Sequence, residues 1–203
     1  MSGLERARET VVETLSLVPG KERPILVAFD GGSGAGKTTL AREVAEHFGA
    51  AYVGSDDFYA SWISNAEWDA RSASERVAEG IDWRRLRADA LEPLLAGQPG
   101  RWQPFDHTRP AGDGTYPLRE EWTECAPADV IVLDGAYSCR PELEDLVDLS
   151  VLVECPLEVR HARLAEREAA TFLAAWHARW DPAEAYYFSR IRPASCFALV
   201  VSV

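Results

Sequence analysis

The sequence predicts an α/β fold in which helices cover both faces of a parallel sheet, and three observations support this prediction. A glycine-rich stretch at residues 31–38 lies between an apolar run and a segment with helical spacing. Apolar runs at residues 25–29, 130–133 and 151–153 have the length and continuity of strands that are buried on both faces. These strands alternate with helical segments along the chain, and strands connected through helices pair in parallel.

The glycine-rich stretch fits the Walker A pattern, which is a glycine, four further residues and then Gly-Lys-Thr. Glycines allow phosphate oxygens to approach backbone N–H groups, and the following helix points its positive dipole end at the same phosphates. Lys37 can reach the outer phosphates, and the Thr38 hydroxyl can bind magnesium. The alternative is a glycine-rich turn that merely precedes a helix. The predicted phosphate-binding residues are Gly31, Gly32, Ser33, Gly34, Ala35, Gly36, Lys37, Thr38 and Thr39.

The composition indicates one globular domain over residues 1–203, with 47% hydrophobic and 27% charged residues. A net charge of -12 argues against nucleic-acid or acidic-membrane partners, because their surfaces require a basic footprint. We find no bilayer-spanning stretch and no apolar core of a signal peptide, so we expect a cytoplasmic protein. The cysteines form no C-x-x-C pair and are interpreted as separate small hydrophobic residues. They are Cys125, Cys139, Cys155 and Cys196.

The spacing of apolar residues predicts the remaining elements. We expect a helix at 4–18, a strand at 51–53, a helical excursion at 62–80, a helix from 83 that Gly97 closes, helices at 157–169 and 170–192, and a last strand at 197–203. Asp82 is the predicted N-cap of the helix that starts at residue 83. Residues 98–127 are rich in proline and glycine and lack periodicity, but Trp102, Phe105 and Trp122 favour an ordered segment there.

Acidic residues follow two of the predicted strands. Asp134 ends a buried strand, where a carboxylate can hold magnesium directly or through water. Asp56 and Asp57 follow the strand at 51–53, where a carboxylate could orient an acceptor hydroxyl and take its proton. The alternatives are a helix cap or turn for Asp134 and a solvated turn for the aspartate pair.

Arginines form a third group of candidates. Arg160, Arg163 and Arg167 recur at steps of three and four, which places them near one helix face. Arg163 and Arg167 could neutralise charge on a phosphoryl group in transfer. A solvated face with glutamate partners is the alternative. His107 and Arg109 could recognise an acceptor by hydrogen bonding, and no Asn-Lys-x-Asp motif for guanine occurs.

Several stretches together resemble the uridine kinase family of P-loop nucleoside and nucleotide kinases. The resemblance covers residues 23–203, and its phosphate loop is specific to the superfamily. The matching stretches are DGGSGAGKTT at 30–39, SDDFY at 55–59, DW at 82–83, FDHTR at 105–109, DLSVLVE at 148–154 and WDPAEAYYF at 180–188.

This resemblance implies a P-loop kinase fold with a five-stranded parallel sheet, an acceptor-binding excursion at about 55–127 and a small lid at about 168–182. It implies ATP and Mg²⁺ as cofactors, with Thr38, Asp134 and Asp56 as metal ligands. The family's base on the sugar 5′-hydroxyl corresponds to Asp56, and its ribose-binding aspartate corresponds to Asp82. The implied acceptor site comprises Tyr59, Asp82, Phe105, His107 and Arg109, and the implied catalytic group comprises Lys37, Asp56, Arg163 and Arg167.

The chain also departs from the family's pattern. The spacing from the aromatic residue to the histidine is shortened, Asp134 stands where a glutamate is common, and residues 168–180 lack the usual basic, glycine-containing run. We therefore expect a kinase acting on a small molecule, first of all a pyrimidine nucleoside. A nucleoside monophosphate or other metabolite kinase and an ATPase or nucleotide sensor without acceptor are the alternatives, and a homo-oligomer is left open.

Overall fold

A computed structural model describes residues 2–20, 22–166 and 169–203 of the chain. Its main sheet has five parallel strands in the order β2-β5-β1-β6-β7, and β3 and β4 form a separate antiparallel pair. The strands are β1 (Ile25–Asp30), β2 (Ala51–Gly54), β3 (Gly100–Trp102), β4 (Thr123–Cys125), β5 (Val130–Asp134), β6 (Leu149–Glu154) and β7 (Leu199–Ser202). This arrangement confirms the predicted α/β class and the five-stranded parallel sheet.

Helices pack on both faces of the main sheet. They are α1 (Gly3–Ser16), α2 (Lys37–Phe48), α3 (Asn65–Ala70), α4 (Ala73–Glu79), α5 (Trp83–Arg85), α6 (Glu92–Leu95), α7 (Leu157–Ala165) and α8 (Ala170–Tyr186). A π-helical segment, Leu86–Leu91, joins α5 to α6, and a second one, Tyr187–Ile191, continues α8. The predicted helices are therefore confirmed, except that the excursion at 62–80 divides into α3 and α4, and the end of the helix predicted at 157–169 falls partly outside the described residues.

Residues of the central strand alternate between two hydrophobic cores, because successive side chains of a strand point to opposite faces. Leu26 and Ala28 of β1 belong to the core that includes the π-helical segment Leu86–Leu91. Val27 and Phe29 belong to the core formed with α1 and α2. All four side chains are completely buried, so both faces of β1 are covered. Such burial is what a continuous apolar run predicts.

The segment at 98–127 contains two short strands that the sequence did not predict. It forms the antiparallel pair of β3 and β4, with three residues in each strand. Trp102 is buried in the core, as expected of an ordered segment, whereas Trp122 is exposed. The four cysteines carry free thiols, as expected of separate residues, and Cys139 is buried whereas Cys196 is exposed. Within the described ranges, no helix is both long enough and apolar enough to cross a bilayer.

Candidate active site

The predicted phosphate loop connects β1 to α2 at the carboxyl end of the sheet. Gly34 has a φ of +78°, and a Cβ atom there would lie 2.7 Å from the carbonyl oxygen of Arg160. At Gly31, with a φ of +146°, a Cβ atom would collide with the carbonyl oxygen of Val153. Glycine is required at both positions because the backbone conformation and the close neighbours exclude a side chain.

Asp30, the last residue of β1, anchors the start of this loop. Its carboxylate is fully buried and accepts hydrogen bonds from four donors. They are the N–H groups of Gly31, Tyr137 and Cys139, at 2.8, 3.2 and 3.0 Å, and the hydroxyl of Tyr187, at 2.8 Å. Burial raises the pKa of Asp30, and the hydrogen bonds oppose that shift. The sequence analysis assigned Asp30 no role, although a carboxylate that ends an apolar strand before a glycine loop was a usable signal.

Lys37 lies inside the loop rather than on the surface. Its side chain is largely buried, and its ammonium group donates a hydrogen bond of 3.0 Å to the carbonyl oxygen of Gly32. The ammonium group therefore lies within the loop in which the phosphates are expected to bind. Thr38 and Thr39 follow at the start of α2, and both are exposed at its amino-terminal end.

Two arginines of α7 bind the loop's backbone. Arg160 donates to the carbonyl oxygen of Ser33 at 3.0 Å, and Arg163 donates to those of Gly34 and Ala35 at 3.4 and 3.3 Å. The alternative in which Arg160 and Arg163 lie on a water-exposed helix face without contact to the loop is therefore excluded. The predicted partner Arg167 lies outside the described residues.

Glu184 of α8 completes this contact and was missed by the sequence analysis. Its carboxylate accepts the N–H of Ser33 at 2.8 Å and forms an ion pair of 2.8 Å with Arg160. Glu184 is buried, although it lies 151 positions from Ser33 in the chain. The spacing of apolar residues along α8 cannot predict a contact with a residue so distant in the chain.

Asp134 ends β5 beside Phe29 of β1 and Gly54 of β2, and it is almost fully buried. Its Oδ2 atom accepts a hydrogen bond of 2.7 Å from the Tyr52 hydroxyl. Its Oδ1 atom is buried without a hydrogen-bond partner among the described residues. A buried carboxylate oxygen without a donor is costly unless a cation faces it, so this site fits Mg²⁺. The contact with Tyr52 does not support the alternative role as a helix cap.

Asp56 and Asp57 lie in a 3₁₀ turn, Ser55–Phe58, directly after β2. Asp57 is held in the scaffold, since its Oδ2 atom accepts a hydrogen bond of 2.8 Å from the Trp102 indole. Its carbonyl oxygen accepts further hydrogen bonds from Arg85, at 3.0 Å, and from the backbone of Phe105, at 2.8 Å. Asp57 therefore connects the turn to β3 and to the segment that carries Phe105.

Asp56 instead has an exposed side chain that interacts electrostatically with Lys37 of the phosphate loop. The surrounding protein nevertheless removes enough water to raise the pKa of this carboxyl. Asp134 and Asp57 raise this pKa further, while Lys37 and His107 lower it. Asp56 is therefore within electrostatic range of the phosphate loop, the candidate metal ligand and the excursion.

Aromatic rings line the excursion next to Asp56. The ring of Phe105 lies 5.6 Å from that of Tyr59, 6.5 Å from that of His107 and 5.5 Å from that of Tyr116. Tyr59 also lies 6.0 Å from the Trp180 ring of α8. Of these rings, Tyr116 and Trp180 were not predicted as acceptor-site residues. The cluster provides flat apolar surfaces on which a planar group can stack.

Asp82 and Arg109 have contacts of a different kind. Asp82 caps α5, as predicted, by accepting the N–H of Arg85 at 3.1 Å. Arg109 is exposed, and its N–H donates to the carbonyl oxygen of Asp106 at 3.5 Å. Asp106 also accepts two hydrogen bonds from Thr108, which shape the turn that carries His107. Their described contacts thus join Asp82 and Arg109 to the scaffold rather than to Asp56.

The sheet, the phosphate loop and the acidic strand ends define the class of protein, a P-loop kinase fold. Within this class, residues 26–171 match the family described as Phosphoribulokinase / Uridine kinase. The chain belongs to this family.

Two curated relatives illustrate the distance within the family. The uridine kinase of Halobacterium salinarum is 30% identical over 145 residues, which are 70% of this chain and 61% of that protein. The uridine kinase of Deinococcus deserti is 31% identical over 157 residues, which are 73% of this chain and 70% of that protein. The match thus spans less than two thirds of the first relative's length.

Two solved structures have the same fold. A possible uridine kinase from Bacillus stearothermophilus superposes with a TM-score of 0.71 at 19% identity, over 98% of this chain and 100% of that chain. A putative fructose transport system kinase from Silicibacter sp. TM1040 superposes with a TM-score of 0.68 at 21% identity, over 98% of each chain. At these identities, the likeness concerns the fold alone.

Proposed function

We propose that this protein transfers the γ-phosphoryl group of ATP to a hydroxyl group of a small molecule in a reaction that requires Mg²⁺. The position of Asp56 carries this proposal. One carboxylate is within electrostatic range of Lys37, of Asp134 and of His107 in the aromatic excursion. A group that takes the proton of an acceptor hydroxyl needs this placement, between the phosphates and the acceptor.

The phosphate loop and the ammonium group of Lys37 hold the donor in this proposal. The N–H groups of residues 31–39 and the ammonium group of Lys37 bind the phosphates, with the dipole of α2 directed at them. Arg163 keeps the loop in shape through its carbonyl oxygens. Arg167 remains a candidate for charge neutralisation on the phosphoryl group.

The candidate metal ligands are Thr38, Asp134 and Asp56. A bound Mg²⁺ ion would neutralise charge on the phosphate oxygens. Tyr52 holds Asp134 in place through its hydroxyl, so the Oδ1 atom stays directed away from that hydrogen bond. We assign the acceptor proton to Asp56 as its first role and the metal to Asp134.

A pyrimidine nucleoside is the acceptor we propose first. The relatives named uridine kinase support it, and the rings of Tyr59 and Phe105 offer stacking surfaces for a planar base. Asp82 and Arg109 remain candidates for the sugar and base. A nucleoside monophosphate would bring its own negative charge and require more cationic groups than Arg109 beside the acceptor. Residues 168–182 are proposed as a lid.

The experiment is an assay of ADP release with ATP and Mg²⁺ across uridine, cytidine, the pyrimidine monophosphates, pantothenate and simple sugars, with water as the blank. We expect the rate of ADP release to rise sharply with a pyrimidine nucleoside. The same panel with Lys37→Ala identifies any ADP release that does not come from the proposed phosphate loop. A rise with a different acceptor would replace the nucleoside with that class. A rate that stays at the water level for every acceptor would favour an ATPase or nucleotide sensor.

A further inference from the structure

Two histidines and an aspartate converge between α7 and α8, outside the phosphate and acceptor sites. His161 belongs to α7, while His177 and Asp181 lie one turn apart on α8 and therefore share a face. The His161 Nε2 atom is 3.0 Å from the nearest Asp181 oxygen, and the His177 Nδ1 atom is 3.1 Å from the same oxygen. The two imidazole ring centres are 4.0 Å apart.

The three groups supply the donor set of a transition-metal site. Imidazole nitrogen and carboxylate oxygen are ligands of Zn²⁺, and bond lengths of about 2.0–2.2 Å place tetrahedral ligand atoms about 3.3 Å apart. One ligand atom of each residue lies within 4.8 Å of the other two. The two distances to Asp181 are close to this spacing, and the two imidazole nitrogens lie no more than 4.8 Å apart.

The His161 Nε2 atom provides a second observation. It is buried, and despite its distance to Asp181 it makes no hydrogen bond of acceptable direction among the described residues. A buried ring nitrogen without a directional partner can offer its lone pair to a metal. Solvent still reaches the cluster, since the three side chains are 36%, 22% and 28% exposed. An ion can therefore enter, and one coordination position stays open.

We propose that His161, His177 and Asp181 form a binding site for a divalent transition metal of the Zn²⁺ class. Mg²⁺ prefers oxygen ligands, so two imidazoles distinguish this site from the candidate magnesium site at Asp134. A bound metal joins α7 to α8. It does so next to Arg160 and one turn before Glu184, whose ion pair contacts Ser33 of the phosphate loop.

The first test is isothermal titration calorimetry of the full chain with Zn²⁺ in the presence of millimolar Mg²⁺. We expect the wild type to bind one Zn²⁺ per chain. The His177→Ala and Asp181→Asn variants should bind Zn²⁺ at least tenfold more weakly, whereas His47→Ala should bind it as the wild type does. Loss of a ligand should cost at least as much as loss of a supporting group, about 10–100-fold. His47 is exposed on α2 and is the matched control.

The second test is thermal unfolding with and without Zn²⁺, which needs no activity. Binding to the folded state raises the Tm of the wild type and of His47→Ala but not of the two ligand variants. Co²⁺ absorption reports the tetrahedral nitrogen and oxygen environment. The proposal would be overturned if no Zn²⁺ bound, if Mg²⁺ displaced the Zn²⁺, or if every variant bound Zn²⁺ equally well. The three residues would then be a metal-free histidine–aspartate cluster. Binding in a chain that turns over no acceptor would contradict only the proposed function.

Discussion

Asp56 and Asp57 are adjacent in the chain but have different surroundings. The Asp57 carboxylate accepts a hydrogen bond from the Trp102 indole, whereas the Asp56 carboxylate interacts electrostatically with Lys37 and Asp134. The residue pattern by itself left open which of the two serves as a base, and the family resemblance implied Asp56. The geometry favours Asp56, because the hydrogen bond from the Trp102 indole fixes the orientation of the Asp57 carboxylate within the scaffold, whereas the Asp56 side chain is exposed.

Asp56→Asn should therefore lower the rate of transfer by about a hundredfold or more, the scale of a lost general base, while ATP binding persists. Asp57→Asn is the matched control, and it should chiefly lower stability by loosening the Trp102 contact. The measurements are kcat with the acceptor found in the ADP assay and the Kd of ATP. If kcat falls in Asp57→Asn and stays at the wild-type value in Asp56→Asn, Asp57 rather than Asp56 is the base.

The pH dependence of transfer tests the environment of Asp56. Its pKa lies above the usual aspartate value of 3.8, because partial loss of water around the carboxyl and the neighbouring carboxylates of Asp134 and Asp57 disfavour the charged form. The base must be ionised, so kcat/KM should rise with pH through a midpoint above 3.8 and then level off. A midpoint at or below 3.8, with transfer intact, would contradict this role.

Lys37→Ala should abolish transfer and weaken ATP binding, because a point charge at the phosphates is lost. The ammonium also bridges the loop through Gly32, so part of the loss would come from the shape of the loop. Comparison with Lys37→Arg, which keeps the charge, separates the two contributions. Turnover at the wild-type level in Lys37→Ala would refute the phosphate-loop assignment.

The phosphate loop as an element depends on the buried carboxylate that precedes it. Removal of the Asp30 carboxylate leaves four buried donors without an acceptor, each costing about 1–3 kcal/mol when unsatisfied. Asp30→Ala should therefore lower the free energy of unfolding by at least about 3 kcal/mol. Urea unfolding measures this change.

Tyr187→Phe is the matched control for Asp30→Ala. It removes one of the four hydrogen bonds, keeps the ring, and should cost only about 1 kcal/mol. If the two variants lose the same stability, the carboxylate does not organise the loop, and the remaining three contacts are incidental.

At the scale of elements, the sequence predicted what local patterns determine. Continuous apolar runs identified β1, β5 and β6, and the Walker A residues placed the loop before α2. The pair of β3 and β4 escaped prediction because three-residue strands show no period. Glu184 escaped because its partner Ser33 is distant in the chain, and no local pattern records such a contact.

At the scale of the whole molecule, the strand order explains why distant residues meet. β2, β5 and β1 are neighbours in the sheet, and Gly54 and Phe29 both pair with Asp134. The parallel direction places their carboxyl ends at one edge, where ligands bind in sheets of this kind. The resemblance supplied the number of strands, but the convergence at Asp134 required the structure.

The net charge of -12 affects the approach of an anionic nucleotide. Moderate salt shortens the Debye length from about 30 Å at 0.01 M to about 8 Å at 0.15 M, which screens long-range repulsion more than contacts within the loop. The association rate constant of ATP should therefore rise over this range in stopped-flow measurements, with a neutral acceptor as control. A falling rate would mean that the basic loop dominates the field.

The contact of Glu184 with the phosphate loop also gives the protein an internal optical signal. An anion that takes the N–H of Ser33 competes with the Glu184 carboxylate for it, and Trp180 lies one turn earlier on the same helix. Trp180 lies beside the rings of Tyr59 and Trp68. We therefore expect nucleotide binding to change the intrinsic fluorescence of the protein, and loss of this change in Trp180→Phe would identify the responding indole.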